Sequence, residues 1–162
     1  MAVGAASWSF TEDDFGAITS ALERFLTECN ARSALLVDRT GQLVATCGER
    51  PTFDPTAFAT LTAADFSAND QLARLVGEND FQSLFHQGEK ESMYLADIAR
   101  RVILVVLFDN RTTLGLVRLK VKATVEELTR LFVALFQRSR EENATRPNIL
   151  SGADEEIDRL FS

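Results

Sequence analysis

Histidine occurs once in this sequence, cysteine twice and proline three times. The lone His86 excludes a zinc centre built from a His/Cys cluster. It also leaves any nucleophile–base triad without a second candidate base. His86 lies in FHQG and reads as a surface or hydrogen-bonded histidine. No G-x-G-x-x-G and no G-x-x-x-x-G-K-[ST] occurs, so no loop is built to cradle a nucleotide phosphate. Asp13, Asp14, Glu78 and Asp80 fall at helix starts and in loops, where solvated acids are ordinary. We therefore expect no catalytic residues, no metal site and no cofactor. The longest uncharged apolar run, Val102 to Phe108, is too short to span a bilayer. The opening MAVGAASWSF has no basic n-region, so no signal peptide is expected. Cys29 and Cys47 are isolated thiols, expected to be reduced in a cytoplasmic protein rather than joined in a disulfide. A formal net charge of −7 argues against general nucleic-acid binding. The cations Arg100, Arg101, Arg111, Arg118, Lys120 and Lys122 read as a solvated face or as salt bridges to the many acids.

What is present is enough apolar material, 46% of 162 residues, for one domain plus a tail. The first helix is expected from about Thr11 to Asn30, capped by Thr11 with Asp14 three residues on. Phe15, Ile18, Leu22, Phe25, Leu26 and Cys29 recur at helical spacing on its apolar face. SALLVD (33–38) and QLVATCG (42–48) flank a short turn and predict a β-hairpin. Asp54 then caps a second helix with Pro55 at its first position, Phe53 stapling on Phe58, and Gly77 at its exit. ENDFQSLFHQG reads as a loop. SMYLADI (92–98), RVILVVLFD (101–109) and LGLVRLKVK (114–122) read as three strands. A third helix is expected from Thr124, with Glu127 completing a capping box. The order predicts an α+β sandwich, αββαβββα, with a five-stranded antiparallel sheet. Helices one and three should cover one face and helix two the other.

The second helix carries only Asp65 and Asp70 as charges between Thr56 and Ala73. Its wheel groups Phe58, Leu61, Asp65, Ala68, Leu72, Leu75 and Val76, expected to face the sheet. Asp65 should there accept backbone hydrogen bonds. Thr60, Ala63, Ala64, Ser67, Gln71 and Arg74 fall opposite, on a side too poor in Glu and Lys for a plain solvent face. That side reads as a partner-binding surface, and Phe66, projecting sideways, as a dimer contact.

ALLVDRTGQLVA, LTAADFSANDQLARLVGENDFQSLFHQG, RVILVVLFDNRTTLGLVRLKV and the closing EIDRLFS resemble bacterial MglB-like members of the roadblock/dynein light-chain superfamily. Relatives of this kind often carry Gly-Asn where Ala64-Asp65 stands. The resemblance implies a roadblock sandwich that dimerises edge to edge, with the two second helices side by side. It implies that this platform contacts a Ras-like small GTPase and stimulates GTP hydrolysis, without an arginine finger and without a catalytic site of its own. Leu61, Thr62, Ala63, Ala68, Leu72 and Ala73 match second-helix positions of the family. Asp109, Asn110, Arg111, Leu114 and Gly115 match a structural turn. Cell polarity and motility, and concentration at cell poles, are implied by resemblance alone.

The expected organisation is an N-terminal segment (1–10), a roadblock domain (11–137), a linker (138–148) and a docking peptide (149–162). In the tail, Ile157, Leu160 and Phe161 share one face at i, i+3 and i+4, with acids around them. The resemblance links such a tail to GTPase binding or nucleotide exchange. LSGADEEIDRLF is also similar to a peptide that recruits a receiver domain. An adaptor recruiting a receiver-domain or polarity protein, without effect on GTP turnover, is the alternative.

Overall fold

The computed structural model describes residues 10–145 and 159–160. Thr11 and Asp14 cap each other: Asp14 N donates to Thr11 Oγ1 at 3.1 Å, and Thr11 N to Asp14 Oδ2 at 3.0 Å. This starts helix α1, Glu12–Cys29, which ends at left-handed Asn30. Its buried face is Ile18, Ala21, Leu22, Phe25 and Cys29, whereas Phe15 is half-exposed. Strands β1 (Ser33–Asp38) and β2 (Leu43–Gly48) form the expected hairpin. Helix α2, Pro55–Leu75, begins at Asp54, whose Oδ1 accepts from Thr56 N at 3.0 Å. The Phe53 and Phe58 rings lie 4.6 Å apart, closing the staple. Strands β3 (Ser83–Gln87), β4 (Ser92–Ile98) and β5 (Val102–Phe108) come next, then helix α3, Leu114–Thr145.

The sheet order is β2-β1-β5-β4-β3, antiparallel throughout. Central β1 and β5 are covered on both faces, which is why SALLVD and VILVVLF are nearly continuous apolar runs. Leu36, Val102, Leu104 and Val106 face α1 and α3, meeting Phe25, Leu128 and Phe132. Leu35, Val37, Ile103 and Val105 face α2, where Phe66 fills the layer. The sandwich and the distribution of helices over its faces are as expected.

Three local assignments differ. The run 114–122 is not a strand but the first turns of α3, capped by Thr113 Oγ1, which accepts from Leu116 N at 3.2 Å. A period of two and a period near four share positions i and i+4, so Val117 and Val121 satisfy both. They differ at i+2. There Leu119 is 64% exposed, while Val117, Val121 and Leu128 continue a helical stripe. Thr124, expected as the cap, is buried within the helix. The missing strand is β3, inside the expected loop. It is a short edge strand with exposed Ser83, His86 and Gln87, so its apolar alternation is reduced to Leu84 and Phe85, one on each face. Finally, residues 138–145 continue α3 instead of starting a linker.

Both cysteines are free. No helix among the described residues is long and apolar enough to cross a membrane.

Candidate functional site

The turn joining β1 to β2 sets the position of α2. Asp38 Oδ1 accepts from Thr40 N at 3.0 Å, Thr40 Oγ1 at 2.6 Å and Gln42 N at 3.0 Å, which folds DRTGQ tightly. Gly41 has φ 95, and a Cβ there would lie 3.2 Å from the Thr60 Cα. The positive φ favours glycine here, and any side chain would also crowd the helix by a few tenths of an ångström.

Arg39, the next residue after Asp38, ties α2 to the sheet. Its Nη1 donates to Asp70 Oδ2 on α2 at 2.6 Å, its Nη2 to Asp97 Oδ1 on β4, and its guanidinium carbon lies 4.7 Å from the Phe66 ring centroid. Burial by itself would lower the Arg39 pKa. The hydrogen bonds to Asp97 and Asp70 outweigh that effect and hold it above its ordinary value. A second tie joins Asp65 Oδ2 to His86 Nε2 on edge strand β3 at 2.6 Å.

These anchors turn α2 to an orientation that helical periodicity alone does not predict. Ala59, Thr62, Ala63, Phe66, Asn69 and Ala73 are buried. Leu61, Leu72, Leu75 and Val76, expected to face the sheet, are 70%, 56%, 83% and 69% exposed. Ala68 is exposed with them, and Asp65 bonds His86, not backbone. Two apolar stripes run along this helix at the same period, offset by about 100°. The leucine stripe is the more hydrophobic. The alanine stripe with its single large Phe66 is the one whose shape permits a close approach to the sheet.

The expected partner-face residues are accordingly divided. Thr60, Ala64, Ser67, Gln71 and Arg74 are exposed. Ala63 is buried behind the Gly41 turn. Phe66 is 0% exposed and belongs to the core, so it presents no lateral surface for a dimer contact. Ala64, Ser67, Ala68, Gln71, Leu72 and Leu75 line an open groove of about 480 Å³. Beside it, sharing Ser67, lies a pocket of about 310 Å³ that includes Arg39, Asp70, Arg74 and Arg100. Helical periodicity missed the exposed leucines at this face, although Leu61 and Leu72 are among the second-helix positions that the resemblance matches. Their signal is the scarcity of charge around them, a feature that the helical wheel credits to the opposite side.

Such a face offers apolar contact area with arginines along one edge. Among the described residues no group of three or more His, Cys, Asp or Glu could hold a metal ion. Of the tail residues, Leu160 is 80% exposed, while Ile157 and Phe161 lie outside the described residues.

The comparisons with known proteins concern this same region. The family model described as the Roadblock/LC7 domain matches residues 18–108. MglB from Myxococcus xanthus is 45% identical with a TM-score of 0.72, over 75% of this chain and 98% of that one. The structure described as gliding protein MglB from Thermus thermophilus is 34% identical with a TM-score of 0.73, over 78% of this chain and 96% of that one. A further MglB structure, described as having a tetrameric arrangement, is similar to the same extent, at 34% identity and a TM-score of 0.73, with coverage of 78% and 96%. A comparison with curated protein sequences finds no match.

Proposed function

This chain belongs to the roadblock/LC7 domain family, and from that premise we propose that it is a homodimeric regulator of a Ras-like small GTPase. It stimulates GTP hydrolysis through the outer face of α2, and its C-terminal tail modulates binding or nucleotide exchange. The observation that carries this reading is the uncovered stripe of Leu61, Leu72 and Leu75 on a helix anchored by Arg39 and Gly41. Large apolar patches held on a rigid support mark interaction sites. The similarity to MglB supports a role in cell motility or polarity, since one such relative is described as a gliding protein. The relative with a tetrameric arrangement supports self-association.

In this reading the protein supplies no reacting group. It acts by binding one arrangement of the GTPase's own catalytic groups more tightly than the others, which shifts the population toward the hydrolysing state. The test is the single-turnover GTP hydrolysis rate of a Ras-like GTPase encoded beside this gene, with and without the protein. Stimulation that disappears in Ser67→Arg with Gln71→Arg, both exposed, supports the α2 platform. Full stimulation by that folded double variant removes it. Binding without stimulation identifies the scaffold instead.

A further inference from the structure

The apolar groove and the arginine pocket on α2 share Ser67 and form one continuous surface with a dry side and a cationic side. Arg74 makes no ion pair among the described residues. The Arg100 guanidinium pairs with Asp80 at 3.6 Å, and its side chain is 81% exposed. Asp70, which also lines the pocket, is already taken by Arg39. Arg39 is thus balanced by Asp70 and Asp97, and the cations this pocket offers outward are Arg74 and the weakly paired, exposed Arg100.

Arg100 is carried there by an unusual turn. Ala99 and Arg100 both have left-handed backbones, φ 53 and φ 59, in a connection between β4 and β5. Tight hairpins of this kind ordinarily use Asn-Gly. Here Asp97 holds the turn by accepting from Arg100 N at 3.1 Å through Oδ2, while its Oδ1 binds Arg39.

The same end of the molecule releases the C-terminal segment. Arg101, the next residue of the turn, lies over the Phe136 ring of α3 at 4.5 Å. From Phe136 to Thr145 the helix advances about 13 Å past that point. Residues 146–153 then span up to about 26–29 Å when extended, enough to return to the Arg100 turn. They lead into Asp154, Glu155, Glu156, Ile157, Asp158, Arg159, Leu160 and Phe161. Wound as a helix, Ile157, Leu160 and Phe161 form one face, and Asp154 and Asp158 edge it on one side. That is the chemistry that complements the groove and its cationic rim.

We propose that the chain's own acidic tail docks on α2, with Leu160 and Phe161 in the Ala68–Leu72–Leu75 groove and Asp154 and Asp158 on Arg74 and Arg100. Leu160 stands 80% exposed, so its apolar surface is available to such a site. The tether keeps the tail at high effective concentration, so a weak contact is enough. The regulatory consequence rests on the proposed GTPase platform: where the GTPase uses this face, the tail is a competitor that must leave before the partner binds.

The docking is tested without any GTPase, so its outcome is separable from the platform reading. The full chain carries benzoylphenylalanine in place of Phe161, is irradiated at low protein concentration, and its adducts are mapped by mass spectrometry. Intrachain adducts within residues 64–75 are expected. Arg74→Glu with Arg100→Glu should lower their yield about fivefold at unchanged melting temperature, and Asp154→Arg with Asp158→Arg in that background should restore it. Raising salt should lower the yield in the chain without charge reversals. Adducts outside α2, adducts formed between labelled and unlabelled copies, or a yield indifferent to both charge reversal and salt overturn the proposal.

Discussion

Arg39 Nη1 donates to Asp70 Oδ2 at 2.6 Å, and this bond joins the β1–β2 turn to the helix that carries the exposed leucines. The same guanidinium reaches Asp97 on β4 and covers the Phe66 ring. One side chain thus links the hairpin turn, strand β4 and two residues of α2.

Arg39→Met should leave Asp70 and Asp97 as partly buried carboxylates without their cation. The three side chains are only 26%, 23% and 20% exposed, so water compensates little. A loss of about 2–3 kcal/mol is expected in urea unfolding. An unchanged midpoint and slope means that α2 is held by apolar packing alone.

The rotation of α2 predicts opposite outcomes for two apolar residues on one helix. Phe66→Ala opens a cavity in the layer formed with Leu35, Val37 and Ile103 and should cost about 3–5 kcal/mol. Leu75→Ala, at a site 83% exposed, should change stability by no more than about 0.5 kcal/mol. Thermal melts of the two variants decide it, and a reversed order returns the leucines to the core.

Residues 114–122 can be tested in the same way. Val117→Gln places an amide in the α1–α3 core and should cost about 2 kcal/mol or more, while Leu119→Gln should be near neutral. Equal penalties would point to the strand pattern.

Acid sensitivity arises from carboxyls held below their ordinary range. Burial pushes Asp14 up, but the Thr11 backbone amide and the Arg138 guanidinium together push it further down. Arg32 and Arg111 hold Glu49 low, and Arg111 holds Asp109 low. A group with a depressed folded pKa stabilises the fold fully above its unfolded value, 3.8 for Asp and 4.5 for Glu. The contribution fades as pH falls through the lower folded value. The melting temperature should therefore drop below about pH 4.5. Asp14→Asn with Glu49→Gln should flatten that limb while lowering stability at pH 7. A double variant with an unaltered acid limb would show that other groups govern the transition.

Much of the architecture was legible in the chain because it rests on local chemistry. The Thr11–Asp14 cap, the Asp54-Pro55 start and the Phe53–Phe58 staple act within a few residues, and each is where the residue pattern puts it. The continuous apolar runs of β1 and β5 announce burial on both faces whatever surrounds them. The family resemblance led to the same sandwich. The identity of the third strand was not legible. Val117 and Val121 suit a strand and a helix equally, and only their packing against the α1 side distinguishes the two. Nor was β3, whose polar edge residues gain order from β4 backbone partners, not from their own side chains.

For the candidate site the division is sharper. By itself the sequence determined that α2 is a helix with almost no charge and two apolar stripes. Which stripe turns outward was decided only by tertiary structure. Gly41 admits the helix to within van der Waals contact of the turn, Arg39 pins Asp70, and Phe66 packs with Leu35, Val37 and Ile103 of the sheet. Hydrophobicity is a property of each residue and can be read along the chain. Shape complementarity belongs to the pair of packed surfaces, and it exists only once both are formed.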